Sequence, residues 1–171
     1  MMPKYSPDID SQHKWKLLSE MPAIDAKNPR LRSIADLLWQ VSEARPKVFL
    51  RLAFALAKDC IVYESDIKQF GYEDIAGLTR QPEPNDALDA YDRGSDDCDA
   101  KARLFVALCL AAGFEARLWP LWKEGELAHV AGEVKYRGEW VHAETILSRA
   151  RLGEMHTEVP KEPTTGKWRM S

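Results

Sequence analysis

Cys98 is the residue whose position most favours chemistry, because it follows an acidic turn and opens an apolar stretch that ends at Gly113. This pattern predicts a helix between an N-cap among residues 95–97 and a closing Gly113, with Cys98 in its first turn. The unpaired amides and positive dipole end of a helix N-terminus lower the pKa of a cysteine thiol, whereas the neighbouring aspartates raise it. Cys98 is therefore either an activated nucleophile or a small residue at a capped helix start.

A base and an acid follow on two predicted strands that meet at an Arg137-Gly138 turn. If the turn has two residues, His129 lies one diagonal from Glu144 on the same face of the sheet. A carboxylate beside an imidazole fixes its tautomer and stabilises the imidazolium. Placed over Cys98, such a pair completes a Cys-His-Glu nucleophilic triad.

The same register offers a second candidate base, His142, which lies opposite Glu133 on that face. On geometry alone, either histidine could take the proton. The alternative is a half-exposed polar sheet face that carries no chemistry. A slip of one residue in the turn would also move one strand's side chains to the other face.

The elements that must position these residues are helices first and strands afterwards, an order typical of the α+β class. Residues 30–43 and 46–63 have apolar side chains at helical spacing and predict two helices, the second more buried. Residues 1–29 contain four prolines and predict an irregular arm with a short helix near residues 14–20. Residues 65–91 are irregular, and a long connection of this kind is often functional.

Beyond Gly113 the pattern changes to period two and predicts an antiparallel β-meander. Its three predicted strands are residues 114–122, 127–136 and 140–146. Pro120 indicates a bulge or an edge strand. The polar residues 151–171 predict a tail or an arm that docks on a partner protein. We therefore expect an N-terminal arm at residues 1–29, one folded domain at residues 30–150 and a C-terminal arm at residues 151–171.

The composition indicates a cytoplasmic protein with an ordinary surface. The chain has 171 residues, 30% of them charged, and a net charge of −3, which argues against a general nucleic-acid binder. The three cysteines form neither a disulfide framework nor a metal-binding pattern, so no cofactor or metal is expected. Cys60 and Cys109 lie in apolar predicted helices and should be inert. We expect no signal peptide and no membrane contact, since the longest apolar run, residues 104–114, is too short to span a bilayer.

Three motifs in order resemble those of the transglutaminase-like superfamily, which belongs with the papain-like cysteine enzymes. A cysteine opens a core helix, a histidine follows on a strand, and an acid follows on the next strand. The matching segments are Gly94-Ser-Asp-Asp-Cys98-Asp, His129-Val130 with Glu133-Val134, and Trp140-Val141-His-Ala-Glu144-Thr145. The resemblance covers residues 63–147, roughly half of the chain.

The chain departs from the family pattern at three positions. Asp96 stands where a second glycine is usual, Ala131 stands where an aromatic residue is usual, and Glu144 replaces the commoner aspartate. None of these changes removes a chemical group from the motifs. His142 occupies a variable position of the last motif, which weakens its claim to be the base.

The resemblance implies a papain-like fold and thiol-based chemistry on an amide. It makes Cys98 the nucleophile, His129 the base and Glu144 the acid that orients the histidine. The oxyanion donors would be the backbone amide of Cys98 and one upstream side chain, for which Gln81 and Tyr91 are the candidates.

Small bacterial and phage members of this superfamily are expected to be peptidases or amidases, so we expect hydrolysis of a protein or peptide substrate through a thioester. Two alternatives stay open. One is acyl transfer to an amine, as in true transglutaminases. The other is a catalytically inactive binding or assembly protein, with the C-terminal arm as its docking element.

Overall fold

The computed structural model describes residues 11–60, 62–63, 87–88, 95–96 and 98–156. Helices come first and an antiparallel meander follows, which confirms the predicted α+β class. In chain order the elements are α1 (Ser11–Asp25), α2 (Pro29–Val41), α3 (Pro46–Asp59), β1 (Val62–Tyr63), β2 (Ser95–Asp96), α4 (Cys98–Ala111), β3 (Ala116–Lys123), β4 (Glu126–Tyr136) and β5 (Glu139–Ala143). None of the helices in these ranges is long and apolar enough to cross a membrane.

Helix α1 corrects the prediction of an irregular N-terminal arm. It runs from Ser11 to Asp25 and continues through Pro22, so it is longer than the short helix predicted at residues 14–20. Proline removes one helical hydrogen bond, but Leu18 and Met21 are buried in the core that α4 also enters. Tertiary packing of this apolar face therefore stabilises a helix whose local sequence disfavours it.

Helix α3 is shorter than predicted. It begins at Pro46 and ends at Asp59, with Cys60 as its C-cap, instead of continuing to residue 63. Val62 and Tyr63 form a short parallel pair with Ser95 and Asp96. β-branched and aromatic residues favour extended structure, which explains why the chain leaves the helix here.

Helix α4 is central, as predicted. It packs against α1, α2, α3, β3 and β4, and its residues from Ala102 to Cys109 are at most 4% exposed. Its C-terminus is closed by Gly113, whose φ is 93° and whose N–H donates to Leu110 O, while the N–H of Phe114 donates to Cys109 O. These two hydrogen bonds form a Schellman motif, in which glycine takes the left-handed conformation without steric cost.

The main sheet has the order β3-β4-β5 with antiparallel neighbours. The Arg137-Gly138 turn has φ values of 52° and 80°, as a two-residue type I′ hairpin requires. The predicted register is confirmed, since Tyr136 pairs with Glu139 and Glu133 with His142. The ladder between β3 and β4 shifts between Leu121 and Trp122, close to the bulge or edge that Pro120 indicated.

The two faces of β4 have different surroundings. Gly132 lies against Phe105 and Val106 of α4, so the face of β4 that it shares with Val130 and Val134 packs on the core helix. His129, Ala131 and Glu133 alternate with these residues and lie on the opposite face. The apolar side chains of β4 that pack on α4 and its polar side chains thus lie on different faces of the strand.

Candidate active site

A buried hydrogen bond joins His129 and Glu144. The Nε2 atom of His129 lies 2.7 Å from Oε2 of Glu144, and the two residues are 3% and 0% exposed. The other carboxylate oxygen, Oε1, accepts a hydrogen bond of 3.0 Å from the backbone N–H of Ile146. Because both oxygens are engaged, the carboxylate is fixed, and Nδ1 is the nitrogen of His129 that can exchange a proton with another group.

Side-chain hydrogen bonds, and not the sheet ladder, fix the position of Glu144. The ladder of β4 and β5 ends at the pair Gly132 and Ala143, so the strand predicted to reach residue 146 stops one residue before Glu144. The bond from Ile146 N–H to the Glu144 side chain gives the backbone a local partner in place of the ladder. Glu144 therefore lies one residue beyond the end of β5, and its side chain contacts His129 from that position.

His142 lies near this pair but has different surroundings. It is 2% exposed, and neither ring nitrogen has a hydrogen-bond partner among the residues that the structure describes. Its ring meets Trp119 edge-on, with the centroids 4.9 Å apart. Burial lowers the pKa of His142, although the carboxylates of Glu144 and Glu133 act to raise it. The buried ring is therefore neutral at pH 7.

Glu133 does not bind His142, although the predicted cross-strand register places the two side by side. Its Oε2 atom accepts a hydrogen bond of 2.8 Å from Nε of Arg117, its neighbour on the other side in β3. The guanidinium of Arg117 also lies over the ring of Trp140, 3.9 Å from the centroid. A carboxylate on a central strand has a neighbour on each side, and a cation competes for it better than a neutral imidazole does.

Lys101 is a charged residue near the site that the sequence reasoning missed. It is 0% exposed, and its Nζ atom donates a hydrogen bond of 3.0 Å to the carbonyl oxygen of Lys58 in the last turn of α3. Burial lowers its pKa to about 7; Asp59 acts to raise that pKa, Lys58 to lower it and Glu144 to raise it. The sequence feature that could have indicated Lys101 is a lone lysine one turn after Cys98 in a largely apolar helix.

A family model described as the transglutaminase-like superfamily matches residues 57–145, just over half of the chain. The chain belongs to the transglutaminase-like superfamily. Membership supports cysteine-based chemistry in general. The matched range contains Cys98, His129 and Glu144.

Two solved structures resemble this transglutaminase-like protein in fold. One is a candidate cysteine protease from Cytophaga hutchinsonii, with a TM-score of 0.50 and 15% identity over 84% of this chain and 45% of that one. The other is described as a TGase, with a TM-score of 0.45 and 14% identity over 91% of this chain and 37% of that one. The chain thus spans less than half of each. No curated protein matches its sequence.

The nucleophile predicted for this transglutaminase-like domain is the residue at which α4 begins. Helix α4 starts at Cys98 and carries Asp99 in its first turn, where the Asp99 side chain accepts from the N–H of Ala100. The charge of Glu144 acts on Lys101, one turn further along α4, so the first turns of this helix lie within electrostatic reach of the acid. The oxyanion candidates Gln81 and Tyr91 lie outside the described residues.

A buried ion pair ties α1 to the transglutaminase-like core. Arg103 of α4 donates from Nε at 2.5 Å and from a terminal nitrogen at 2.8 Å to the two carboxylate oxygens of Asp25, at the end of α1. The same carboxylate accepts from the backbone N–H of Ala87 at 3.2 Å. Both charges are satisfied by hydrogen bonds, as burial requires. This pair anchors α1 to α4, which begins at Cys98.

Within the described ranges, no group of three or more His, Cys, Asp or Glu side chains could hold a metal ion. The predicted site residues that the structure places in direct contact are His129 and Glu144. This arrangement can transfer a proton and stabilise an imidazolium, which is what a cysteine nucleophile needs from its partner.

Proposed function

We propose that the protein is a cysteine peptidase or amidase in which Cys98 is the nucleophile, His129 the base and Glu144 the orienting acid. The observation that carries the proposal is the buried 2.7 Å hydrogen bond between His129 and Glu144. Two further observations support it: α4 begins at Cys98, and the match to the transglutaminase-like superfamily includes all three residues. The expected substrate is an amide bond in a protein or peptide.

In the first half of the reaction, Nδ1 of His129 takes the proton of the Cys98 thiol. The thiolate forms a C–S bond with the carbonyl carbon of the amide, and the carbonyl oxygen becomes an oxyanion. The backbone N–H of Cys98 and a side chain from Gln81 or Tyr91 are the proposed donors to this oxyanion. The imidazolium then gives its proton to the leaving amine as the C–N bond breaks, which leaves a thioester on Cys98.

In the second half, water replaces the amine. His129 takes a proton from water, and the hydroxide forms a C–O bond with the thioester carbonyl carbon. The C–S bond breaks, the proton returns to the Cys98 thiolate, and a carboxylic acid is released. Glu144 stabilises the imidazolium that forms in each half.

Labelling of Cys98 tests this proposal. We expect iodoacetamide to modify Cys98 ahead of Cys60 and Cys109, with mass spectrometry of the peptides as the measurement. Cys109 is a built-in control, because it is 0% exposed and burial raises its thiol pKa far above the usual range. Equal rates at all three cysteines of the folded protein would contradict a catalytic Cys98.

Product analysis decides between hydrolysis and the two alternatives. The protein is incubated with a mixture of unstructured peptides, with and without a small primary amine, and the masses of the products are measured by mass spectrometry. We expect new carboxyl termini or deamidated side chains, each lost in Cys98→Ser. Incorporation of the amine in place of water would indicate acyl transfer, and unchanged peptides together with an unreactive Cys98 would favour a binding protein.

A further inference from the structure

The side chain of Lys101 is a buried cation that the reaction outlined above does not use. It lies one turn after Cys98 on α4, and residues three apart on a helix share a side of its surface. Its Nζ atom donates to the carbonyl of Lys58, one of the orphan carbonyls at the C-terminus of α3.

The surroundings of Lys101 connect it to the acid of the proposed triad. Lys58, whose carbonyl it caps, uses its own Nζ atom to bind the carbonyl of Ser148 at 3.0 Å and the carboxylate of Asp59 at 2.6 Å. Ser148 belongs to the segment that begins at Glu144, directly after β5. The end of α3 therefore lies between Lys101 and this segment, and the three elements converge beside the first turns of α4.

We propose that Lys101 is a positioning residue of the active site, whose buried charge acts on Cys98 and on the His129–Glu144 pair and sets the pH range in which the thiolate is reactive. This inference rests on the proposed function. The charged groups that act on Lys101 include Asp59 and Lys58 of α3 and Glu144 of the segment after β5.

The Glu144 carboxylate binds His129 directly and also acts on Lys101, where it is the smallest of the named charges. A charged Lys101 favours the Cys98 thiolate, because an opposite charge stabilises the ionised form. The same charge opposes the His129 imidazolium, because a nearby like charge disfavours the charged form. Since the pKa of Lys101 is lowered to about 7, it is charged on the acid side of neutrality and neutral on the alkaline side.

Two substitutions give opposite predictions on this argument. Lys101→Gln keeps a donor for the Lys58 carbonyl but is neutral at every pH. The rise of the Cys98 alkylation rate on the acid side of the pH profile, the acid limb, should therefore move up by roughly one pH unit. The change in rate on the alkaline side of the profile, the alkaline limb, should stay in place, because Lys101 is already neutral there. Lys101→Arg is charged at every pH, so its acid limb should stay and its alkaline limb should move down.

The experiment measures the rate of Cys98 alkylation by iodoacetamide from pH 4 to 10 in the full chain and in each variant. Lys135→Gln is the matched control, because Lys135 is 39% exposed and pairs with Glu115 at the opposite end of β4. It should leave both limbs unchanged. Coincident profiles for the wild type, Lys101→Gln and Lys101→Arg would overturn the inference.

A measurement on the unaltered protein keeps the proposal falsifiable if a variant fails to fold. With carbon-13 labels on lysine and histidine, the Lys101 resonance should titrate near pH 7, and the His129 resonance should show an inflection at the same pH. A Lys101 side chain that stays charged to pH 9 would refute the coupling. So would a His129 resonance that shows no inflection at the pH where Lys101 titrates. If Cys98 is alkylated no faster than an ordinary cysteine and its rate does not depend on His129, the proposed function fails instead, independently of how Lys101 titrates.

Discussion

Gly132 of β4 lies directly against Phe105 of α4. A Cβ atom added to the glycine would stand 2.9 Å from Cδ1 of Phe105 and 3.2 Å from Cγ2 of Val106. The Phe105 ring is itself held edge-on by Phe54, with the centroids 6.0 Å apart. The sheet can therefore approach the core helix this closely only with glycine at position 132, three residues after His129.

Gly132→Ala should destabilise the fold by about 1–3 kcal/mol, because the added methyl group overpacks a contact that cannot relax. Denaturant unfolding measures the loss. Phe105→Leu in the same chain should recover part of it, since the clashing ring atom is gone. Strictly additive effects of the two changes would contradict a direct clash, because residues in contact are expected to couple.

Leu108→Ala should cost about 2–5 kcal/mol, because Leu108 is 0% exposed in the most apolar part of α4 and its truncation leaves a cavity. Thermal or denaturant unfolding tests this value. Leu37→Ala is the matched control, since Leu37 of α2 is 59% exposed and its removal leaves no cavity. Similar losses in the two variants would mean that α4 is not the centre of the core.

The parts of the structure that the sequence predicted were those fixed by local patterns. The Arg137-Gly138 turn sets the register of β4 and β5, and this register brings Glu144, one residue beyond the end of β5, within hydrogen-bond reach of His129. The apolar run after Cys98 is long enough to predict a buried helix, and Gly113 is the residue that a Schellman ending requires. Each prediction needed only neighbours within one element or one hairpin.

The parts that the sequence did not predict depend on contacts between distant segments. Pro22 and its neighbouring prolines suggested an arm, but packing on α4 and the buried pair of Arg103 with Asp25 hold α1 in helical form. The hairpin register pairs Glu133 with His142, but Glu133 has a second strand neighbour, Arg117 of β3, and binds that residue instead. The sequence does not predict a role for Lys101, because its partner, the Lys58 carbonyl at the end of α3, is distant in the chain.

The buried ring of His142 should make the protein less stable in mild acid. Because its pKa is lowered in the folded state, the unfolded chain binds the proton first as the pH falls below about 6.5. The free energy of unfolding should therefore decline from that pH downward. His142→Phe keeps an aromatic ring beside Trp119 but cannot titrate, so it should lose less stability than the wild type between pH 7 and pH 5.

The difference between the two unfolding curves is the quantity to compare, since other groups contribute the same slope to both proteins. At pH 8 the phenylalanine variant should be at least as stable as the wild type, because it buries no ring nitrogen that lacks a partner. Parallel declines in acid would show that His142 accepts its proton without unfolding the chain.

His129 and His142 should separate by function when each is replaced and Cys98 alkylation is followed across pH. His129→Ala should abolish the enhanced reactivity near neutral pH and leave the fold intact, because the ring that can take the thiol proton is gone. His142→Ala should change the reactivity far less, since its ring is neutral, lacks a hydrogen-bond partner among the described residues and does not contact a carboxylate through its nitrogens.

Glu144→Gln completes the comparison. The amide oxygen can still accept a hydrogen bond from His129, but it cannot stabilise the imidazolium by its charge, so the loss should resemble a weaker form of His129→Ala. Circular dichroism of each variant checks that the fold persists. A severe effect of His142→Ala would reverse the assignment of the base, and three unchanged profiles would leave the binding-protein alternative as the better account of the domain.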